Sequence, residues 1–298
     1  MTSRSECNLF VIFARETHQA VIFRHGPHIW TQIVLWDTDA DTFTEGQWFK
    51  GTIYTKRCDV SPDASKMIYF AAKHYKRFNP DAAIKHNWTA ISRPPYLTAL
   101  AMWDDSEDQG GGGYFENDNS VYLARTEHAI QAQNQLLPEG FEARSLFPKY
   151  DIGKYDLSLG DGIYYNLLLE KRGWIRIEGD FSWNKILHRY ECARVIWRKD
   201  NVDHSYSLLW TMPLSGPDFR HQFKLLRHQD NAEFSVDSNG QVDWDQRGRL
   251  IYTNSGSLFM GLLQADRIEP VQIADFTSNR PKLFQSPAWA RTWDQRSS

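Results

Sequence analysis

The run CDVSPDASKMIYFAAK, residues 58–73, sets a tight polar turn, Ser61-Pro62-Asp63, between two apolar stretches. Proline fixes φ in such a turn, Asp bonds its own neighbouring backbone, and the β-branched and aromatic residues that follow favour an extended strand. The stretch therefore reads as a β-hairpin. Whether the chain holds one such hairpin or a series of them decides the architecture.

The pattern returns. VSPDASKMIYF from Val60 aligns without gaps with YFENDNSVYLA from Tyr114 and VDWDQRGRLIY from Val242. Each has an apolar or aromatic residue, a polar turn with Asp, Asn or Gly, and then a β-rich run. Looser copies are FARETHQAVIF near Thr17, LSLGDGIYYNLLLE near Ser158 and WRKDNVDHSYSLLW near Asn201. The markers Thr17, Asp63, Asn117, Ser158, Asn201 and Asp245 are 46, 54, 41, 43 and 44 residues apart. A spacing of roughly 40–50 residues is the period of a four-stranded propeller blade.

Further β-type runs lie between the markers, at 30–36, 46–54, 88–93, 97–103, 257–263 and 270–276. Helical periodicity is scarce. TEHAIQAQNQLL, residues 126–137, is the one good helix candidate, with Ala129, Ile130, Leu136 and Leu137 on a partial apolar face. The expectation is an all-β chain in which residues 1–298 form a single β-propeller domain. It would have about six four-stranded blades, one short helical insertion, and closure by pairing of the terminal strands. A β-sandwich is the competing fold, but a chain of this length would then divide at a visible linker.

With its Ser-Pro-Asp turn followed by KMIYFA, the stretch resembles the TolB-like, or WD40-like, β-propeller repeat family. That repeat has an apolar strand, S-P-D-G, then an aromatic-containing strand. Only the copy at Ser61 carries the triplet, and Ala64 stands where the family usually has Gly. The other copies match in pattern. The resemblance implies a ring of blades whose connecting loops gather at its two ends. It does not imply a periplasmic address, because the N-terminal apolar run ends at Arg15, too soon for a secretory h-region.

Composition supports a folded chain able to bury wide, flat side chains, with 12 Trp, 13 Tyr and 17 Phe. A formal charge of -3 favours no polyanion, so no nucleic-acid partner is expected. No run approaches the roughly 18 apolar residues of a membrane span, so no membrane partner is expected either. Cys7, Cys58 and Cys192 are too few and too scattered for a disulfide framework or a zinc knuckle, which fits a cytoplasmic protein.

Catalytic signatures are lacking. The pairs His25/His28 and His221/His228 do not have the spacing of converging metal ligands, so no metal and no cofactor are expected. TNSGS at 253–257 reads as a turn, not a nucleophile elbow. DQGGGG at 108–113 has no Lys or Ser/Thr behind it, as a phosphate loop requires. Asp104/Asp105 and Asp41/Glu45 read as acidic turns.

The remaining candidates are aromatic and cationic: Trp48, Arg57, Trp88, Arg93 and Tyr96, in GQWFKGTIYTKRC and HNWTAISRPPYL. These residue types dominate interface hot spots, although Trp residues of a propeller also wedge between blades. The expected function is a non-catalytic cytoplasmic scaffold binding another protein through these five residues, alone or within a larger complex. Alternatives are a propeller hydrolase acting on a glycan or small molecule, and a carbohydrate or small-ligand binding module.

Overall fold

A computed structural model describes residues 7–73, 86–105, 111–131, 136–146, 161–179, 183–184, 189–190, 192–214 and 221–293. The chain forms two compact units, residues 1–161 with 278–298, and residues 162–277. Both are built from sheets of short strands. The protein is all-β, with two short helices.

Three sheets make up the first unit. The first is an antiparallel meander of β1 (Asn8–Phe13), β2 (Gln19–His25), β3 (Trp30–Asp37) and β4 (Thr42–Lys50). The second runs β5 (Thr52–Ile53), β7 (Met67–Ala72), β8 (Asn87–Ser92) and β9 (Ala99–Asp105), with β6 (Asp59–Val60) also paired to β7. In the third, β10 (Gly113–Asn117) pairs antiparallel with β11 (Ser120–Leu123), which pairs parallel with β12 (Glu142–Ser145). Helix α1 (Glu127–Gln131) lies in the connection between β11 and β12.

Strand β7 shows why the sheets stack. All six of its residues are buried. Alternate side chains of a strand point to opposite faces, and those of MIYFAA enter two different cores. Met67, Tyr69 and Ala71 pack with Val21, Phe23 and Ile33 of the first sheet. Ile68 packs with Ile91 and Trp103 of its own sheet and with Phe115 and Val121 of the third. The second sheet is thus covered on both faces, and each fully buried large side chain contributes about 1.5–3 kcal/mol.

The second unit holds α2 (Asp161–Lys171), β13 (Ile175–Glu178), the small hairpin β14 (Trp183–Asn184) and β15 (Arg189–Tyr190), and two larger sheets. One contains β13, β16 (Arg194–Asp200), β17 (Tyr206–Pro213), β18 (Gln222–Arg227) and β19 (Ala232–Val236) in that order. The other is a meander of β20 (Val242–Trp244), β21 (Leu250–Asn254), β22 (Ser257–Leu263) and β23 (Ile268–Asp275).

Of the six turn markers, Thr17, Asp63, Asn117, Asn201 and Asp245 sit in hairpins, between β1 and β2, β6 and β7, β10 and β11, β16 and β17, and β20 and β21. Ser158 lies outside the described residues. Four of these five turns contain one chemical device, a side-chain oxygen accepting the N–H two residues on. It occurs at Asp63/Ser65 (2.8 Å), Asn117/Asn119 (2.9 Å), Asp203/Ser205 (2.9 Å) and Asp245/Arg247 (3.0 Å), the third from Asp203 rather than the marker Asn201. The same bond forms at Asp37/Asp39, Asp230/Ala232 and Asp275/Thr277, so it belongs to tight turns of this chain in general.

The structure corrects four expectations. The run 46–54 is not one strand, because the chain passes from the first sheet to the second at Gly51, whose N–H bonds the Ile29 carbonyl at 2.9 Å. A Cβ there would come within 2.6 Å of the Ala72 carbonyl oxygen. The copy near Ser158 does not continue into a strand, since Asp161–Lys171 is helical. Leu167, Leu168, Leu169, Glu170 and Lys171 are straight-chain or γ-branched helix formers, and Gly173 (φ 83°) ends the helix. There Gly173 N–H bonds Glu170 O and Trp174 N–H bonds Leu169 O, both at 3.0 Å, a Schellman cap.

The helix expected over 126–137 is shorter. It is described only over Glu127–Gln131, Leu136 and Leu137 are not helical, and 132–135 fall outside the described residues. Finally, the C-terminal residues do not form a closing strand. Residues 278–293 contain only the short 3-10 turn Ala288–Arg291 and lie against the first unit.

Candidate functional site

None of the five residues expected to face a partner is exposed; each is buried or half-buried within the first unit. Trp48, on β4, packs edge-on against Trp30 with centroids 6.4 Å apart and lies 5.2 Å beneath the Arg24 guanidinium. Its indole N–H is buried without a hydrogen-bond acceptor. Trp88, on β8, meets Phe49 edge-on at 5.6 Å. Arg57 ends a 3-10 turn with its guanidinium 5.3 Å over the Phe70 ring. Arg93 and Tyr96 share the loop between β8 and β9, where Tyr96 N–H bonds Arg93 O at 2.8 Å. The structure therefore brings Arg93 and Tyr96 together, whereas Arg57 belongs to a different contact.

What covers Arg93 and Tyr96 is the chain's own C-terminal segment, and its carbonyls are held by side chains of the sheets. Arg24 donates to Asn279 O (3.3 Å), Gln47 to Phe284 O (3.0 Å), and Arg93 to both Thr292 O (3.2 Å) and Trp293 O (2.9 Å). Side chains complete the grip. Asn279 donates to Gln32 (2.9 Å), Lys282 pairs with Glu45 (2.7 Å), and Gln47 donates to Ser286 (2.9 Å). Trp289 meets Tyr96 edge-on at 5.6 Å, while Trp293 sits 4.9 Å from Phe141 and donates its indole N–H to Leu100 O. Sequence reasoning missed this segment. Its signal was a Pro-broken, aromatic-rich run, RPKLFQSPAWARTW at 280–293, behind the last strand.

Beside the end of this segment a cleft of about 690 Å³ opens at the Ser-Pro-Asp turn. Asp63, Ala64, Ser65 and Lys66 form one side of the lining, with Arg93, Asn119, Glu139, Phe141 and Trp293 among the other lining residues. Ala64 has φ 60°, the left-handed conformation that Gly adopts most readily. Asp63 Oδ1 accepts from Ser61 Oγ (2.6 Å) and Ser65 N–H (2.8 Å), while Asp63 N–H donates to Asp118 Oδ1 at 2.9 Å.

These contacts separate the two carboxyl groups. Burial pushes Asp63 upward, but the bonds from Ser61, Ser65 and Asp118 outweigh it and hold the group at about 2. Asp118 is raised, first by burial and then by the neighbouring Asp63 carboxylate. Lys66 is lowered, mainly by burial, with Asp63 and Asp118 opposing the shift. The arrangement can hold one ionised and one protonation-prone carboxyl beside a half-buried ammonium.

Several of the other titratable groups singled out in the sequence are engaged structurally. His25 Nδ1 is 3.0 Å from Thr31 Oγ1, His221 Nδ1 accepts from Trp210 at 3.1 Å, and His228 lies between His204 O and Ser207 Oγ. Asp41 accepts the Trp36 indole N–H. No group of three or more His, Cys, Asp or Glu is placed to hold a metal ion among the described residues. Among them, too, no helix is long and apolar enough to cross a membrane.

No protein-family sequence model matches this chain, and no curated protein matches it. Among solved structures, it is similar to an uncharacterized protein from Listeria monocytogenes EGD-e at 9% identity and a TM-score of 0.25. That alignment covers 90% of this chain and 54% of the other, so the chain spans about half the length of that structure. A likeness this slight carries no argument.

Proposed function

We propose that this protein is a non-catalytic, cytoplasmic scaffold of the β-propeller type that binds extended segments of other proteins. A single ring of about six blades of the TolB-like repeat belongs to the same proposal. What supports the ring is the recurrence of meander sheets, with an Asx-bonded hairpin in four of the marked turns. One observation carries the binding reading. The first unit already grips an extended, Pro-interrupted segment by its backbone carbonyls, through Arg24, Gln47 and Arg93. Carbonyl capture does not depend on the side chain being held, so the same groups suit a partner segment of like chemistry. Two of the residues expected to bind a partner, Arg93 and Tyr96, take part.

The test uses the full chain and a fluorescent peptide copying residues 279–293. In the wild-type chain the internal segment occupies the surface, so the apparent affinity is reduced by the fraction left open. The double variant Trp289→Ala, Trp293→Ala loosens that segment and should bind the peptide at least about tenfold more tightly. Adding Arg93→Ala should abolish the gain. If the double variant binds no more peptide than wild type while retaining its fold, the surface is merely a chain closure and the scaffold reading fails.

A hydrolase acting on a glycan or small molecule is the second reading, favoured by the neighbouring Asp63 and Asp118 carboxyl groups, whose pKa values are driven apart and of which Asp63 lines the cleft. It requires turnover by the wild-type chain that Asp118→Asn removes.

A further inference from the structure

We infer that the cleft at the Ser-Pro-Asp turn is a binding site for a neutral, polyhydroxylated ligand, namely a short saccharide chain. The cleft shares Arg93 and Trp293 with the segment-binding surface, whereas Asn119 and Glu139 belong to the cleft alone. Its volume, about 690 Å³, falls within the ~300–1,000 Å³ typical of ligand clefts. The lining differs from the usual apolar pocket, because side chains with planar polar ends face the space together with two aromatic residues.

Charge selects the ligand class. Asp63 and Glu139 are countered by Lys66 and Arg93, so neither a cation nor an anion finds a surplus of the opposite sign. Lys66 Nζ donates to Ser65 Oγ at 2.9 Å, and Arg93 donates to the carbonyls of Thr292 and Trp293, so part of the donor capacity of both cations is already used. A phosphate or carboxylate would also have to sit beside the Asp63 and Glu139 carboxylates.

A sugar hydroxyl both donates and accepts. It is the functional group that can use carboxylate, amide and ammonium partners in one small volume without leaving a charge unpaired. Asn119 and Glu139 are exposed on the rim and bring an amide and a carboxylate. The C–H face of a sugar ring needs an apolar platform, and half-buried Trp293, packed at 4.9 Å against the buried Phe141, supplies one. The cleft is lined mainly by turn and loop residues.

The experiment is ligand-observed NMR on the full chain, using maltotriose, cellotriose and chitotriose as probes, with inorganic phosphate and hexaglycine as controls. At least one trisaccharide should show saturation transfer and a millimolar or tighter dissociation constant. Asn119→Ala and Glu139→Gln should each weaken it about fivefold or more, with melting temperatures unchanged. The inference is overturned if all three trisaccharides fail at millimolar concentration. Preferential binding of phosphate or hexaglycine overturns it as well, and so does saccharide affinity that is equal in wild type and both rim variants.

Discussion

The guanidinium of Arg93 donates to the carbonyl oxygen of Trp293 at 2.9 Å, joining residues 200 positions apart in the chain. The same side chain reaches Thr292 O through Nε, and it is only 4% exposed. A buried cation satisfied by two carbonyls is a fixed anchor, because removing it strands both acceptors in a water-poor environment. Arg93→Ala should therefore cost about 3 kcal/mol and release residues 284–293. The checks are thermal unfolding and amide exchange over that segment. Arg93→Lys should rescue little, since a point ammonium cannot reproduce the two-pronged geometry.

Strand β7 predicts its own sensitivity. Ile68 is fully buried between the second and third sheets, beside Trp103 and Phe115. Ile68→Asp places a carboxylate there with no cation to meet it, and soluble expression should be lost. Ile68→Val, which removes one methylene, should cost only about 1 kcal/mol in melting experiments. Soluble expression of the Asp variant with an unchanged melting temperature would contradict the packing described for β7.

How much of this was legible in the sequence follows the range of the interactions involved. The Asx turns and the strand after Asp63 were readable because their determinants lie within a few residues. The residues of α2 were misread because Tyr164 and Tyr165 carry β propensity, while the leucines and the Gly173 cap carry the helix. The C-terminal segment was legible only as a Pro-broken, aromatic-rich run, not in its partners. Nothing local in RPKLFQSPAWARTW specifies Arg24, Gln47 or Arg93 as partners, and its prolines exclude only the strand that a closed ring would have needed. Likewise, the five aromatic and cationic residues were chosen by type, and type does not distinguish a side chain awaiting a partner from one already covered.

Gly46 is fixed by contact rather than by φ. An added Cβ would lie 2.0 Å from the Pro95 carbonyl oxygen, which accepts the neighbouring Gln47 N–H at 3.0 Å. Both sides of that approach are backbone, so neither can swing away. Gly46→Ala should push β4 from the Arg93–Tyr96 loop and destabilise the chain by about 2–3 kcal/mol. Calorimetric melting checks the loss, and chemical shifts at Gln47 and Leu97 report where it arises.

The pH dependence of stability has an assignable source in His25. Burial, with help from the Arg24 charge, lowers its pKa from 6.5 to about 4. Between those values the unfolded chain takes up a proton that the folded chain refuses, so stability falls as pH drops through this window and is complete above it. Asp63, held at about 2 against an ordinary 3.8, adds a separate loss only at still lower pH. Melting temperature measured from pH 7.5 to 4.5 should decline. His25→Gln should flatten the decline, whereas an identical slope in the variant would place its origin elsewhere.

Asp63→Asn tests the pair formed by the Asp63 and Asp118 carboxyl groups, of which Asp63 lines the cleft. An amide oxygen still accepts from Ser65 N–H and the Ser61 hydroxyl, so the turn should persist with a loss near 1 kcal/mol. The charge is gone, however. Asp118 then no longer feels the neighbouring carboxylate that helps to raise its pKa, although its burial remains. Its pKa should move down towards the ordinary carboxylate range without fully reaching it, as read from the carboxyl carbon shift in an NMR titration. Lys66 loses an opposing negative charge at the same time, so its pKa should fall further below the usual lysine value. The two movements share a sign and a cause. If Asp118 stayed fixed while Lys66 moved, burial alone would account for Asp118, and the pair would not act as a unit in either binding or acid–base chemistry.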